Sequence, residues 1–149
     1  MAKKFRVLVV EARYYDDVAD ELIKGAAKVM AEAGCSYDRV EVPGVFEVPG
    51  AIRFHIDAQG KKRRYDGYLA LGCVIRGETD HYDHICRESS RAIMDIATDG
   101  HPIGFGILTC PSYKHAMARA SVDKMNKGAE VARACLRMME LRRELKLAK

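Results

Sequence analysis

Between Gly72 and His84 the chain reads Gly-Cys-Val-Ile-Arg-Gly-Glu-Thr-Asp-His-Tyr-Asp-His, an apolar run that breaks at a glycine and restarts as a polar helix start. Unpaired backbone N–H groups at a helix N-terminus attract anions, phosphate above all. Thr79 suits the N-cap and Asp80 the positive end of the helix dipole. His81 stands beside that anion site, where an imidazole can carry protons near neutral pH or simply hydrogen-bond locally. His81 and His84, with Asp80 and Asp83, also have the look of metal donors. A metal needs three or four converging ligands, and no His-x-x-x-His, cysteine pair or carboxylate motif elsewhere completes such a set, so none of them is assigned to metal.

Further chemistry-bearing residues fall in three other short segments. Glu11-Ala-Arg-Tyr-Tyr-Asp16 offers Tyr14 and Tyr15, for ring stacking or as a pair packed on the next helix. Pro43-Gly-Val-Phe-Glu-Val-Pro-Gly50 offers Phe46, hard to place in a core between turn formers, and Glu47, a polar contact or a first-turn dipole residue. Phe105-Gly-Ile-Leu-Thr-Cys-Pro111 adds a second phenylalanine. Arg119 either complements the end of a short helix or serves a phosphate. Lys127 and Glu130, three apart, suit a surface ion pair worth about 0.3 kcal/mol.

All of these segments follow strands. Tyr68–Ile75 reads as a strand buried on both faces, because its apolar residues run together without alternating. From Asp80 to Thr98, Tyr82, Ile85, Cys86, Ser89, Ile93, Ile96 and Ala97 recur at helical spacing. The remaining elements are predicted at Phe5–Val10, Asp16–Ala33, Arg39–Pro43, Val48–Asp57, Pro102–Thr109, Ser112–Arg119 and Asn126 to Leu145. Strands alternating with helices imply parallel pairing with helices on both faces. Ligands of such α/β sheets bind beyond the carboxyl ends of the strands, where these segments lie. The rim suits a flat ring plus a phosphate.

At 149 residues, 48% hydrophobic and 31% charged, the chain reads as one globular domain spanning 1–149. No apolar run approaches the length of a membrane span, and Val7–Val10 is too short for a signal peptide, which points to the cytoplasm. Five scattered cysteines without paired spacing read as reduced core residues. The run Lys61–Arg64 reads as a solvated loop, and a net charge of +4 without interleaved aromatics argues against nucleic acid as a partner.

Four segments together, Phe46-Glu-Val-Pro49, Gly72 to His81, Phe105-Gly-Ile-Leu-Thr109 and Asn126-Lys-Gly128, resemble the 6,7-dimethyl-8-ribityllumazine synthases of riboflavin biosynthesis. The likeness runs from the first strand to the last helix. It implies a flavodoxin-like three-layer αβα sandwich around a four-stranded parallel sheet, in a homo-oligomer of pentamers with active sites between subunits. The implied reaction joins 5-amino-6-(D-ribitylamino)uracil to 3,4-dihydroxy-2-butanone 4-phosphate, releasing phosphate and water, with no cofactor.

By the same resemblance Tyr14 stacks on the pyrimidine, where phenylalanine or tryptophan is more usual. Phe46, Glu47 and Val48 hold the ring system and ribityl chain, and Val74 and Ile75 line the pocket. Gly77, Glu78 and Thr79 present donors to the phosphate, Arg119 adds charge, and His81 shuttles protons. Phe105 and Lys127 reach the site from a neighbouring subunit. Two positions depart from the pattern: Tyr15 stands where many members have asparagine, and Asp123, in Ser121-Val-Asp-Lys-Met125, where many have a lysine. The second lies in a turn that joins pentamers into larger shells, and it points to a free pentamer or a pair of pentamers.

Two other classes compete on the same residues. A metal-dependent hydrolase would use Asp80, His81, Asp83 and His84 and lose activity with chelator. A flavin or lumazine carrier would bind without turnover, since fold does not fix function. A receiver-like signalling domain fits poorly, because Glu11 lacks acidic companions and Arg76 follows the third strand.

Overall fold

The computed structural model describes residues 4–147. Along the chain run β1 (Arg6–Ala12), α1 (Asp16–Glu32), β2 (Ser36–Val42), a 3-10 turn (Val45–Glu47), α2 (Val48–Gln59) and β3 (Gly67–Ile75). Then come α3 (His81–Thr98), β4 (Ile103–Cys110), α4 (Tyr113–Ala120) and α5 (Lys127–Glu144). The four strands form one parallel sheet in the order β2-β1-β3-β4. The chain winds outward from β1 to β2, then crosses back over β1 to β3 and on to β4. Helices α1, α4 and α5 pack on one face around Val7, Val9, Leu69 and Leu71. On the other, α2 and α3 pack around Leu8, Val10, Tyr68 and Ala70. This is the flavodoxin-like αβα sandwich.

Burial follows from strand position. Central β3 is buried throughout Gly67–Cys73, as its unbroken apolar run requires. β2 begins at Ser36, three residues earlier than its apolar residues indicate. As an edge strand it leaves Ser36, Tyr37, Arg39 and Glu41 exposed, so pairing with β1, and not hydrophobicity, sets where it starts.

Helices α1 and α5 approach very closely. A Cβ added at Gly128 would lie 2.0 Å from the Leu22 carbonyl oxygen, so only glycine permits this contact.

All five cysteines are free; four are buried and Cys86 half-buried. Burial, reinforced by Cys110, pushes the Cys73 thiol up to about 12, and burial pushes Cys135 up to about 12. The Lys61–Arg64 run lies in the loop between α2 and β3. Among the described residues no helix is long and apolar enough to cross a membrane.

Candidate active site

The direction of winding reverses between β1 and β3, and a crevice opens above the carboxyl ends of those strands, as such a switch point requires. Its volume is about 400 Å³. Tyr14 and Tyr15 enter from the end of β1, and Gly44, Val45, Phe46 and Glu47 from the turn after β2. Cys73, Val74 and Ile75 form its floor at the end of β3, and His81 and Ile85 close it from α3.

Local sequence places each group. Val45 is buried and anchors the 3-10 turn, which leaves Phe46 66% exposed and Glu47 at the N-cap of α2. Pro49 occupies the first turn of that helix, where a missing N–H costs nothing. Tyr14 is 78% exposed and meets the half-buried Tyr15 ring edge-on, with centroids 4.9 Å apart and planes at 77°. Burial raises the Tyr15 phenol above its ordinary value, helped by Cys73.

The loop from β3 to α3 is exposed through Gly77, Glu78 and Thr79 and borders the crevice at His81. Thr79 is not the N-cap: α3 starts at His81, with Asp80 in the cap position and making no side-chain cap bond. The Thr79 hydroxyl still accepts the His81 N–H, at 3.3 Å, from one residue further out. Arg76 clamps this loop to α3, its guanidinium 4.3 Å from the Tyr82 ring centroid and 3.4 Å from Asp83 Oδ1. Asp83 is thereby engaged, and among the described residues no three histidine, cysteine or acidic side chains gather to hold a metal.

Seven of the residues singled out from sequence therefore share the crevice: Tyr14, Tyr15, Phe46, Glu47, Val74, Ile75 and His81. Val48 does not line it. Its side chain, at the start of α2, is fully buried in the core.

Phe105, Arg119 and Lys127 lie elsewhere, in a second cavity of about 230 Å³ along β4. Thr109, Glu130 and Val131 are among its other lining residues, and it shares none with the first. Phe105 is exposed on the outermost strand. Lys127 Nζ donates to both Glu130 oxygens, at 3.1 and 2.9 Å. Arg119 Nη1 donates back along α4 to the His115 carbonyl, at 3.3 Å.

Residues that sequence reasoning left unassigned also shape the crevice. Gly44, Val45, Cys73 and Ile85 line it, and only long-range packing brings them there.

Residues 4–143 match the family model described as 6,7-dimethyl-8-ribityllumazine synthase. The chain belongs to the 6,7-dimethyl-8-ribityllumazine synthase family. A synthase of that name from Bartonella henselae is 48% identical over 144 residues, covering 96% of this chain and 92% of the relative. One from Agrobacterium fabrum is 49% identical over 144 residues, covering 95% and 97%. Another, from Methylorubrum extorquens, is 50% identical over 145 residues, covering 95% and 83%. The carrier reading gains no support from these relatives. Within the lumazine synthase family, the crevice offers stacking surfaces, one carboxylate and one imidazole, the equipment for condensing an amine with a ketone.

Proposed function

We propose that this chain condenses 5-amino-6-(D-ribitylamino)uracil with 3,4-dihydroxy-2-butanone 4-phosphate to 6,7-dimethyl-8-ribityllumazine, releasing phosphate and water. The observation that carries this reading is the convergence of Tyr14, Phe46, Glu47, Val74, Ile75 and His81 on one crevice at the switch point of the sheet. The pyrimidine lies between the exposed Tyr14 and Phe46 rings, with Glu47 accepting from its polar hydrogens. The butanone phosphate sits at the start of α3, where Gly77, Glu78 and Thr79 and the helix N-terminus receive its anionic group.

The pyrimidine amine attacks the ketone and, after loss of water, forms an imine. Elimination of phosphate from the imine leaves an enol that tautomerises to a ketone, and the ribityl-bearing nitrogen attacks that carbonyl and closes the ring with loss of a second water. His81 takes protons from the nitrogen and carbon centres and returns them to the leaving oxygens. Donors at the phosphate site also stabilise charge that develops as the carbon–oxygen bond breaks. Holding two substrates together supplies much of the remaining acceleration, so a modest proton carrier is sufficient.

Phe105, Arg119 and Lys127 enter from a neighbouring subunit in a pentamer. Their grouping in a separate cavity on the outer edge of the sheet supports this, since a ring joins two different patches at every interface. Arg119 is therefore read as a charge given to the neighbour's site. Asp123 in the turn before α5 favours a free pentamer or a pair of pentamers. The whole chain acts as one domain in the cytoplasm, a reducing compartment that suits its five free cysteines.

The test is direct. Purified protein mixed with the two substrates is expected to generate lumazine fluorescence and inorganic phosphate together. A folded protein that yields neither overturns the proposal. Light scattering near the mass of one or two pentamers is expected, and a mass near a megadalton refutes the assembly.

A further inference from the structure

Tyr14 has little packing of its own, being 78% exposed, yet a stacking ring needs a defined position. The residues on either side of it must supply that position. Tyr15, on one side, is half-buried against the core. Arg13, on the other, has a side chain only 15% exposed and is bound to three carboxylates.

The centre of this cluster is Glu11, 3% exposed at the end of β1. By strand alternation it shares a sheet face with Val7 and Val9, the face covered by α1. Its Oε1 accepts from Arg13 Nη1 at 3.0 Å and from Arg39 Nη2 at 3.1 Å, and its Oε2 accepts from Arg39 Nε at 2.7 Å. Arg13 continues into α1: Nη2 donates to Asp20, and Nε lies 3.6 Å from Asp16 Oδ1. Helix α1 begins at Asp16 without a side-chain cap, so the guanidinium spanning Asp16 and Asp20 holds the first turn in its place.

We propose that Arg13 is a positioning residue for the pyrimidine subsite, a strap that ties the end of β1 to the start of α1 and so aims Tyr14 into the crevice. This rests on the reading of Tyr14 as the stacking ring. A planar guanidinium is suited to the task because its fixed fork of donors can serve several carboxylates at once, which a lysine ammonium cannot do in the same geometry. Glu11 is its buried anchor, and Arg39 keeps that carboxylate neutralised from the neighbouring strand.

The experiment is a double-mutant cycle of Arg13→Gln with Tyr14→Ala, read as KM for each substrate and kcat. Tyr14→Ala is expected to raise the pyrimidine KM about tenfold, the scale of one lost stacking contact. Arg13→Gln is expected to raise it about fivefold, leaving the butanone phosphate KM and kcat within about twofold. In the double variant the pyrimidine KM is expected to match Tyr14→Ala alone. A multiplicative effect, about fiftyfold, or equal changes in both KM values would overturn the strap while leaving the Tyr14 reading intact. An unchanged pyrimidine KM in Tyr14→Ala overturns the Tyr14 reading and the strap with it. Should Arg13→Gln not fold, Asp20→Asn removes one of the acceptors of Arg13 at an exposed position. It is expected to give a smaller rise in the pyrimidine KM that vanishes in the Tyr14→Ala background, and a rise that persists there refutes the strap.

Discussion

Adding a single methyl group at Gly72 should loosen the site by pushing on one residue of its lining, Val45. On β3, a Cβ at this position would lie 2.9 Å from Val45 Cγ2, with Ala12 Cβ at 3.4 Å and the Ala12 carbonyl oxygen at 3.8 Å closing the other directions. Carbon atoms in contact prefer about 3.5–4.0 Å, so Val45 must retreat by about 0.6–1 Å. Its β-branched side chain is stiff at χ1 and cannot fold out of the way. The displacement therefore passes to the backbone of the 3-10 turn, which carries Phe46 and Glu47.

Overpacking of this kind costs about 1–2 kcal/mol, and for a chain of this size that lowers Tm by about 3–8 °C. The functional effect is expected to be larger for the pyrimidine, whose subsite the turn builds, than for the phosphate-bearing substrate. We expect Gly72→Ala to raise the pyrimidine KM about fivefold to thirtyfold, since a misplacement of about 1 Å can cost two orders of magnitude, and to change the butanone phosphate KM by less than about twofold. Steady-state lumazine formation with each substrate varied in turn, beside thermal melts, measures both. A fall in Tm with an unchanged pyrimidine KM would refute the coupling through Val45.

Four further outcomes can be checked. His81→Ala is expected to lower kcat by about tenfold to a hundredfold without abolishing it, near the lower end of acid–base contributions, and an unchanged rate removes His81 from the mechanism. Glu47→Ala and Lys127→Ala, each nearly inactive, are expected to regain about a quarter of wild-type activity when co-assembled, because about one site in four then joins two intact halves; activity no higher than the sum of the two separate variants counts against a shared site. Burial, aided by Arg63 and Arg53, holds the His101 imidazole below its ordinary value of 6.5. The unfolded chain therefore binds more protons as pH falls through that range and native stability declines. Melts of His101→Gln between pH 7 and 5 should show a shallower decline, and an identical slope would exclude His101 as its source. Gly128→Ala is expected to cost about 3 kcal/mol or more by chemical denaturation, as a Cβ there lies 2.0 Å from a backbone oxygen, and a loss below about 1 kcal/mol would mean that α1 and α5 can part freely.

Much of the architecture was legible because it is written in local periodicity. The apolar run at Tyr68–Ile75 could only be a central strand, and the stripe Ile85, Ser89, Ile93 and Ile96 buries the face of α3 that its spacing indicates. The alternation of strands and helices implied parallel pairing, and with it a site at the carboxyl ends. Phe46 stood out because an apolar ring between turn formers has no core to enter, and it is indeed exposed. Val48 was less legible. An apolar residue at a helix start can face a ligand or a core, and its neighbours in sequence do not distinguish the two.

By itself, then, the amino-acid sequence determined the elements, their parallel pairing, the family, and the identity of most side chains on the rim. Only the tertiary structure decided which of them share a cavity. Phe105, Arg119 and Lys127 separate from the crevice because β4 lies at the far edge of the order β2-β1-β3-β4, a fact of pairing between distant segments that no local spacing encodes. Likewise the local spacing of Glu11 and Arg13, at the end of β1, and of Arg39, within β2, does not show that they meet. Their roles emerge because strand alternation points Glu11 under α1, where a carboxylate removed from water must find its guanidiniums.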